Sequence, residues 1–435
     1  MISKPVHSVR ISGVTLLTGA ATGQEPTSVL LRDGFISAFG DSARHEPVDE
    51  EFTADGCYLS PGFVDLYCNL REPGDSQKGS IASETLAAAH GGFTTVCAAP
   101  DSSPVNDSGA VTRLIREVAS ERSPIRIRPI GAATRGLQGE LLSDMSGLVA
   151  AGCIAFSNAG QTFRDARVLR RCMAYARTFD YTLMLQPSNR ALAADGFAHD
   201  GLVTARLGLL GIPEVAETTA VMELLLLAEE TGVRLHLSQL STARAVEMIA
   251  DAQARGVSVS ADVAMHQLVF TEQALAGFDS RFHVMPPLRS ENDRQGLLAG
   301  VREGVVGAIV SQHQPHDPAA KRAPLGETAP GLSAIESVLS LGLVLVNAGE
   351  LRLSELIRAL TSGPSAILGE TAGELRTGEQ ADLCVFDPAA TWVASANNLC
   401  SLGKHAPLVD HPLPGVVRHT FCEGRQVWPV SGPTE

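Results

Sequence analysis

The chain is predicted to form a (β/α)8 barrel together with a small β-sandwich built from its two ends. Two observations support this fold class. Eight strand-like runs alternate with helix-length amphipathic segments between residues 61 and 370, and both ends of the chain consist of short strand-like runs separated by turns. Eight β/α repeats over about 250 residues match the usual size of this barrel.

The predicted barrel strands are short apolar runs of the length expected for buried parallel strands. They are Phe63–Tyr67, Phe93–Ala99, Arg126–Gly131, Cys153–Ser157, Tyr181–Gln186, Val233–Gln239, Val257–Ala264 and Val306–Ser311. Between them lie amphipathic stretches, several of which are closed by the glycine that is typical of a helix end. Examples are "SETLAAAHGG", "DARVLRRCMAYAR", "ETTAVMELLLLAEETG" and "ARAVEMIADAQARG".

The two ends of the chain have a different pattern. The N-terminal part contains "SVRISGVTLLTG" and "SVLLRDGFISAFG", in which Arg32-Asp33-Gly34 is a hairpin signal. The C-terminal part contains "ADLCVFDP" and "VVRHTFCEGRQVW". Neither end has enough strands to cover a hydrophobic face alone, so we expect both to pack together as one sandwich. The predicted limits are residues 1–60 and 371–435 for the sandwich and 61–370 for the barrel.

Composition excludes several classes of function. The 435 residues are 44% hydrophobic and 19% charged, and the net charge is −14, which argues against a nucleic-acid or anionic-membrane surface. The N-terminus lacks the apolar core of a signal peptide, and no apolar run is long enough to cross a membrane. Eight cysteines occur singly, without a C-x-x-C pair, which predicts a reduced, cytoplasmic protein with mostly buried thiols.

The residues at the carboxyl ends of the predicted strands are the candidate site, because barrels of this type carry function there. Almost all of these residues are polar and neutral. They are Tyr67, Asn69 and Arg71 after the first strand, Pro100 and Asp101 after the second, Asn158 and Ala159 after the fourth, Gln186, Gln239 and His266 after the fifth, sixth and seventh, and Gln312 and His313 after the eighth.

Long motifs give the chain a resemblance to a known family. They are "PGFVDLYCNLREPG", "GGFTTVCAAPDSSPVND", "AGCIAFSNAG", "HLSQLST", "TEQALAGFDSRF", "MPPLRSENDRQGL", "SQHQPH" and "PLPGVVRHTFCEGRQVW". In order and spacing these motifs resemble the dihydroorotases of the amidohydrolase superfamily, which close carbamoyl aspartate to dihydroorotate in pyrimidine synthesis. The resemblance covers nearly the whole chain.

The chain departs from this family at the metal ligands and at the general acid/base. Active members carry D-x-H-x-H in the first strand, an acidic pair after the fourth, one histidine after each of the fifth and sixth, and the aspartate of D-H-A-P-H. By resemblance, these roles fall on Tyr67, Asn69, Asn158, Ala159, Gln186, Gln239 and Gln312.

These replacements cannot do the same work. Catalytic zinc is usually held by three ligands drawn from imidazole, carboxylate and thiolate. Without zinc, the bound water is not acidified by its usual roughly 8–9 pKa units, at about 1.36 kcal/mol each. An amide does not titrate in the useful range, so Gln312 cannot transfer a proton. We therefore expect no catalytic residue, no metal and no cofactor.

Part of the family's substrate-binding set is present. Arg71 matches the arginine that binds the substrate carboxylate, and His316 matches the last histidine of D-H-A-P-H. Asp101 and Met285 stand where the family has asparagines. An aspartate facing a carboxylate ligand repels it. Arg71, Asp101 and His316 are therefore a remnant of a substrate site.

The resemblance implies a role in assembly. The family includes inactive members that bind aspartate carbamoyltransferase and hold its trimers in a larger complex, and this chain resembles them. The predicted partner is the catalytic subunit of that transferase, and homo-oligomerisation is a family expectation. The alternatives are an active cyclic-amide hydrolase with a rebuilt metal site, and a protein that senses a pyrimidine intermediate through Arg71 and His316.

Two local alternatives concern the same residues. His266, His313 and His316 form a candidate for a new metal site, but Pro315 argues against helical pairing of the last two, and apart from Asp101 no carboxylate stands at the other strand ends. We therefore expect a hydrogen-bonded structural role for these histidines in preference to the metal site. Arg71 and Glu72 form a candidate ion pair at the end of the barrel.

Overall fold

The computed structural model describes residues 7–23, 25–370 and 373–430. Its first five strands belong to the N-terminal part of the sandwich. They are β1 (Ser8–Leu16), β2 (Thr27–Arg32), β3 (Phe35–Phe39), β4 (Glu50–Thr53) and β5 (Tyr58–Pro61). β2 and β3 form the expected hairpin, in which Asp33 and Gly34 have φ of 52° and 92°. Positive φ at both positions gives the turn the twist that two-residue hairpins favour.

Eight parallel strands then form the predicted barrel. They are β6 (Phe63–Cys68), β7 (Phe93–Ala98), β8 (Arg126–Ala132), β9 (Ala155–Ser157), β10 (Thr182–Leu185), β13 (Arg234–Leu240), β14 (Val259–Ala264) and β15 (Ala308–Val310). They are hydrogen-bonded in this order. The two intervening strands, β11 (Ala198–His199) and β12 (Gly211–Ile212), form a separate two-stranded ribbon. The sequence therefore predicted all eight barrel strands, with small shifts at their ends.

The barrel closes where β6 meets the segment that follows β15. Cys68 and His313 form a parallel bridge there, and Asn69 N donates to His313 O over 2.9 Å. The buried Asp65 carboxylate accepts from Ser311 N over 3.0 Å and also from the Ser311 hydroxyl. We call the contacts of Asp65, Cys68, Ser311 and His313 the closing seam.

Helices connect the strands, and all but the first, which packs on β2 and β3 of the sandwich, belong to the barrel. They are α1 (Asp41–Arg44), α2 (Ile81–His90), α3 (Gly109–Arg122), α4 (Met145–Ala151), α5 (Ala166–Thr178), α6 (Arg190–Ala193), α7 (Leu202–Leu207), α8 (Val215–Thr231), α9 (Ala243–Ala254), α10 (Met265–Val269), α11 (Glu291–Glu303), α12 (Val338–Asn347), α13 (Leu353–Leu360) and α14 (Ser362–Ile367). Local signals fix their ends. Ser80 caps α2, Thr242 caps α9, and α8 ends at Gly232, whose φ is 69°.

The C-terminal strands complete the sandwich. β16 (Leu383–Val393), β17 (Pro412–Cys422) and β18 (Arg425–Trp428) extend the N-terminal strands into one sheet of order β18-β17-β16-β5-β1-β2-β3, with β4 paired to β1. The expected sandwich is thus one continuous sheet whose two parts share β1 and enclose a common core that includes Ile11, Leu59 and Phe421. The predicted domain limits at residues 1, 371 and 435 lie outside the described residues.

All eight cysteines are free, and seven of them are buried. None of the helices in the described ranges combines the length and the apolar character that a membrane crossing requires.

Candidate functional site

The site lies at the barrel mouth, the end to which the carboxyl ends of the strands point. A cavity of about 380 Å³ opens there. Five residues that the sequence predicted for the site line it, namely Tyr67, Asp101, Ala159, Gln186 and Gln239. The structure therefore brings together residues from strands that are far apart in the chain.

Tyr67 lies in β6, on the face opposite its buried neighbour Cys68. The Tyr67 hydroxyl accepts a hydrogen bond of 2.9 Å from Gln314 Nε2. Burial, followed by the charge of Asp101, raises the pKa of the Tyr67 phenol far above its usual range. Tyr67 is therefore a neutral phenol and not a phenolate ligand.

Asn69 follows β6 and has both of its amide atoms engaged. Its Nδ2 donates to Asp101 Oδ2 over 3.0 Å, and its Oδ1 accepts from Arg71 N over 3.0 Å. Asn69 thus fixes the turn after the first barrel strand and holds the Asp101 carboxylate beside it.

Gln239 and Gln312, at the ends of β13 and β15, form an amide bridge. Gln312 Nε2 donates to Gln239 Oε1 over 2.9 Å and to the Met285 carbonyl over 2.7 Å. Both glutamines are buried. The buried His266 lies nearby, and burial lowers the pKa of its imidazole to about 4, so that the ring is neutral. The centre of the site is therefore an uncharged hydrogen-bonded contact.

The two residues after β9 have different roles. Asn158 is buried, its Oδ1 accepts from Thr134 Oγ1 over 2.7 Å, and its Nδ2 donates to Gln161 O over 2.9 Å. These bonds tie two loops together. Ala159 contributes only its backbone and a methyl group to the cavity wall.

The backbone after the barrel strands is strained at four positions of the site. Arg71, Ala159, Gln239 and Gln312 have φ of 61°, 46°, 60° and 49°. A non-glycine residue in this left-handed region costs about 1–2 kcal/mol, and such residues cluster at functional sites. The backbone strain that is common at catalytic centres is present, whereas three of the four side chains at these positions are neutral and only Arg71 is charged.

These residues do not fit a divalent metal ion. The set offers amides, a neutral phenol and a methyl group, and the two buried glutamine amides at its centre are bonded to each other. Zinc in proteins takes imidazole, thiolate and carboxylate. In the part of the chain that the structure describes, no three His, Cys, Asp or Glu side chains converge on the mouth within metal-binding reach.

The residues of the predicted substrate-binding remnant separate into two places. Arg71 Nε donates to Pro315 O over 2.9 Å, and its NH2 lies 3.3 Å from His316 Nε2. His316 Nε2 also lies 2.9 Å from Pro330 O. Burial and then the charge of Arg71 lower the pKa of His316 to about 4, so we assign its Nε2–H as the donor to that carbonyl. Arg71 and His316 bind the chain itself, and Asp101 faces the cavity.

Both local alternatives from the sequence are wrong. His313 Nε2 is 2.7 Å from Glu84 Oε2, and His313 Nδ1 accepts from Ala334 N over 3.1 Å, so that this ring is fully used within the fold. It cannot join His266 and His316 in a metal site. Glu72 accepts from Ile81 N over 2.9 Å and lies 3.8 Å from Arg122, and it does not pair with Arg71.

Sequence reasoning missed two buried networks beside the mouth. His236 is 2.8 Å from Asp262 Oδ2, and Asp262 Oδ1 accepts from Gln239 N over 2.6 Å. The sequence signal for this first network was the segment "HLSQ", in which His236 precedes Gln239 by three residues.

The second network has no local sequence signal. The buried Glu217 carboxylate accepts from Thr242 Oγ1 over 2.7 Å and from the Ser241 hydroxyl, and Arg289 Nε donates to that hydroxyl over 3.0 Å. Burial lowers the pKa of Arg289, and Glu217 opposes that shift. Glu217 and Arg289 both line the cavity.

Comparisons with known proteins agree with this geometry. A family model described as dihydro-orotase-like matches residues 56–245. A dihydroorotase-like protein of Pseudomonas putida is 44% identical over 96% of this chain and 98% of its own length. A second one, from Pseudomonas aeruginosa, is 43% identical over the same shares. A protein named dihydroorotase from Syntrophotalea carbinolica is 37% identical over 94% of this chain and 96% of its own length.

Solved structures resemble the fold over most of its length. The L-hydantoinase (dihydropyrimidinase) of Arthrobacter aurescens matches with a TM-score of 0.86 and 21% identity, over 96% of this chain and 95% of that one. The dihydropyrimidinase of Brevibacillus agri matches with a TM-score of 0.81 and 19% identity, over 96% and 94%. At this level of identity the likeness concerns the fold alone.

Proposed function

The chain belongs to the dihydroorotase-like family of amidohydrolases, and on that premise we propose that it is a catalytically inactive member. We propose that its role is in pyrimidine biosynthesis, where it serves as a structural subunit for the catalytic chain of aspartate carbamoyltransferase.

One observation carries the proposal of inactivity. Gln239 and Gln312 donate and accept within one amide bridge at the centre of the mouth, where the family's chemistry requires a metal ligand and a general acid/base. A metal ion would have to break this bridge, and these two residues would offer it only neutral oxygen ligands, which suit zinc poorly.

Tyr67, His266, His316 and Asp65 do not replace that chemistry. The pKa of the Tyr67 phenol is raised far above neutrality, and the His266 and His316 rings are neutral with pKa values of about 4. Burial raises the pKa of Asp65 to about 7, but both of its oxygens are bonded to Ser311 in the closing seam. A general base must reach the proton that it removes. Asp65 cannot reach a substrate proton, because both of its oxygens are bonded to Ser311.

The partner rests on the resemblance to inactive family members that bind the transferase. A barrel that is closed at the seam, with two neutral amides paired at the centre of its mouth, suits a scaffold, because assembly needs surface and rigidity and does not need a metal. Both ends of the chain are joined in one sheet, so the scaffold is a single stable unit.

Co-expression tests the role in assembly. The chain and the transferase from the same organism are co-purified, and the mass of the complex is measured by light scattering. We expect co-elution in an assembly larger than the transferase trimer, and loss of that assembly when this chain is omitted. A transferase that is fully assembled and active on its own would contradict the proposal.

An active amidohydrolase is the second candidate, because relatives named dihydroorotase reach 37% identity over 94% of the chain. Metal analysis of the purified protein, together with a ring-closure assay on carbamoyl aspartate, separates the two. The scaffold predicts no metal at the mouth and no turnover. Turnover that requires Gln186 and Gln239 would establish the enzyme.

A further inference from the structure

Three side chains with metal-binding atoms meet at the junction of barrel and sandwich, away from the mouth residues. His90 is the last residue of α2, Glu336 lies in the single-turn helix Ile335–Ser337, and Cys400 lies in the loop between β16 and β17. Their ligand atoms all lie within 4.8 Å of one another. None of the three belongs to the proposed function.

The distances are close to those of a tetrahedral zinc site. His90 Nδ1 lies 2.7 Å from Glu336 Oε1 and 3.9 Å from Cys400 Sγ. Bond lengths of about 2.0–2.3 Å in a tetrahedron separate nitrogen from oxygen by about 3.3 Å and nitrogen from sulfur by about 3.6 Å. The imidazole would move away from the carboxylate by about 0.6 Å and towards the thiol by about 0.3 Å. Both movements are within the range of side-chain adjustment.

Access and charge also favour an ion at this place. Cys400 is partly exposed, in contrast to the seven buried cysteines. A coordinating thiol is deprotonated by the metal ion. An incoming dication would therefore neutralise two negative ligands in a partly buried position and release a proton.

The surroundings of the three side chains hold two of them in place. Glu336 Oε1 accepts from Cys400 N over 2.8 Å, and Oε2 accepts from Ser401 N over 3.2 Å. An ion would take the place of the present contact between Oε1 and His90 Nδ1. The His90 ring packs against Trp428 at 4.3 Å and Trp392 at 5.4 Å between ring centroids. Outer contacts of this kind orient metal ligands and raise affinity.

We propose that His90, Glu336 and Cys400 form a zinc site that holds the loop between β16 and β17 against the barrel. Thiolate and imidazole select Zn²⁺ over Mg²⁺. Three protein ligands leave one position for water. The site is structural, since the three ligand-bearing segments are the parts of the fold that it connects.

The test uses the full-length protein after removal of metal with a chelator. Zn²⁺ and, separately, Mg²⁺ are titrated while tryptophan emission is recorded, and bound metal is measured after equilibrium dialysis. The chain has two tryptophans, and both lie beside His90, so their emission reports on this site. We expect one zinc ion per chain, a change in emission with Zn²⁺, and no change with Mg²⁺.

Variants locate the ion. Cys400→Ser is expected to weaken zinc binding at least 100-fold, whereas Cys57→Ser in the sandwich core and His266→Gln at the mouth leave it unchanged. In the unmodified protein, Co²⁺ should give a thiolate-to-cobalt charge-transfer band, which is independent of the folding of any variant. Absence of zinc binding, or binding unaffected by Cys400→Ser, would overturn this inference.

The same variants distinguish a zinc ion at the junction from a zinc ion at the barrel mouth. Zinc that is lost in His266→Gln and kept in Cys400→Ser would place the ion in the barrel, and both this inference and the proposal of an inactive mouth would fail. Absence of zinc from both places would overturn the junction site alone.

Discussion

The closing seam and the centre of the barrel mouth lie on the same strands, but the seam pairs buried titratable groups, whereas the centre of the mouth pairs two neutral amides. At the seam, Asp65 is bonded to Ser311, and Glu84 lies 2.7 Å from His313 Nε2. At the mouth, the corresponding contact is the amide bridge between Gln239 and Gln312.

The seam and the centre of the mouth differ in what compensates their buried polar groups. Buried charge is tolerated where the chain itself supplies the compensating group. At the centre of the mouth two neutral amides satisfy each other, so that no buried charge between them needs a compensating group. Four predictions test this contrast, from the largest expected effect to the smallest.

Removal of Glu84 should destabilise the protein most. The Glu84 carboxylate accepts from Leu402 N over 3.1 Å and from Ser83 Oγ over 2.8 Å, in addition to its contact with His313. Glu84→Ala leaves His313 without its buried partner, and we expect a loss of about 3–5 kcal/mol in the free energy of unfolding. Urea unfolding measures it, with Glu121→Ala on the exposed face of α3 as the control. A loss below about 1 kcal/mol would remove the distinction between seam and mouth.

Asp65 should make stability depend on pH. Burial raises the pKa of Asp65 to about 7, although Ser311 opposes that shift, whereas an unfolded aspartate titrates near 3.9. Between about pH 4 and 7 the folded protein therefore binds a proton that the unfolded chain does not bind. Its stability should fall as the pH rises through this window.

The expected size is about 2–3 kcal/mol between pH 5 and pH 7. Urea unfolding of the protein and of Asp65→Asn at both values measures it, because the asparagine variant lacks this contribution. Equal pH dependence in the two proteins would show that Asp65 does not titrate at the seam.

Loss of the amide bridge should have a smaller effect. Gln312→Ala leaves Gln239 Oε1 and the Met285 carbonyl without their donor, and one unmade hydrogen bond to a buried neutral group costs about 1–3 kcal/mol. Thermal and urea unfolding are compared with Gln273→Ala, which changes an exposed glutamine. If Gln312→Ala were as costly as Glu84→Ala, the mouth would be as dependent on its contacts as the seam.

Restoration of two histidines at the first strand should have no effect on catalysis. Tyr67→His with Asn69→His adds two imidazoles, but Gln186, Gln239 and Gln312 remain neutral. We expect no zinc at the mouth and no ring closure, measured by metal analysis and by a carbamoyl aspartate assay. Recovered activity would show that the other positions had been aligned with the wrong family residues.

The sequence predicted the barrel well because each strand carries its own local signal. Buried apolar runs such as Phe93–Ala98 and glycine after α8 depend on few neighbours. The polar residues at the strand ends could also be identified, since each stands at a motif position. The pairing of side chains within the mouth could not be predicted, because the contact of Gln239 with Gln312 joins residues 73 positions apart.

Other features depend on distant partners in the same way. The sequence placed Arg71 beside Glu72, but the fold gives Arg71 the carbonyl of Pro315, and Glu72 the backbone of Ile81. His313 was a candidate ligand by spacing and is a structural residue because Glu84 reaches it from α2. Contacts of this kind are decided by tertiary packing, which neighbouring sequence does not encode.

The left-handed residues at the ends of β13 and β15 have one more consequence. Gln239 and Gln312 already hold the backbone angles that direct side chains at this end of the barrel. Reactive side chains could therefore be introduced here by substitution, without a change in the path of the loops. The main chain at the barrel mouth therefore has a conformation that can carry reactive side chains at these two positions.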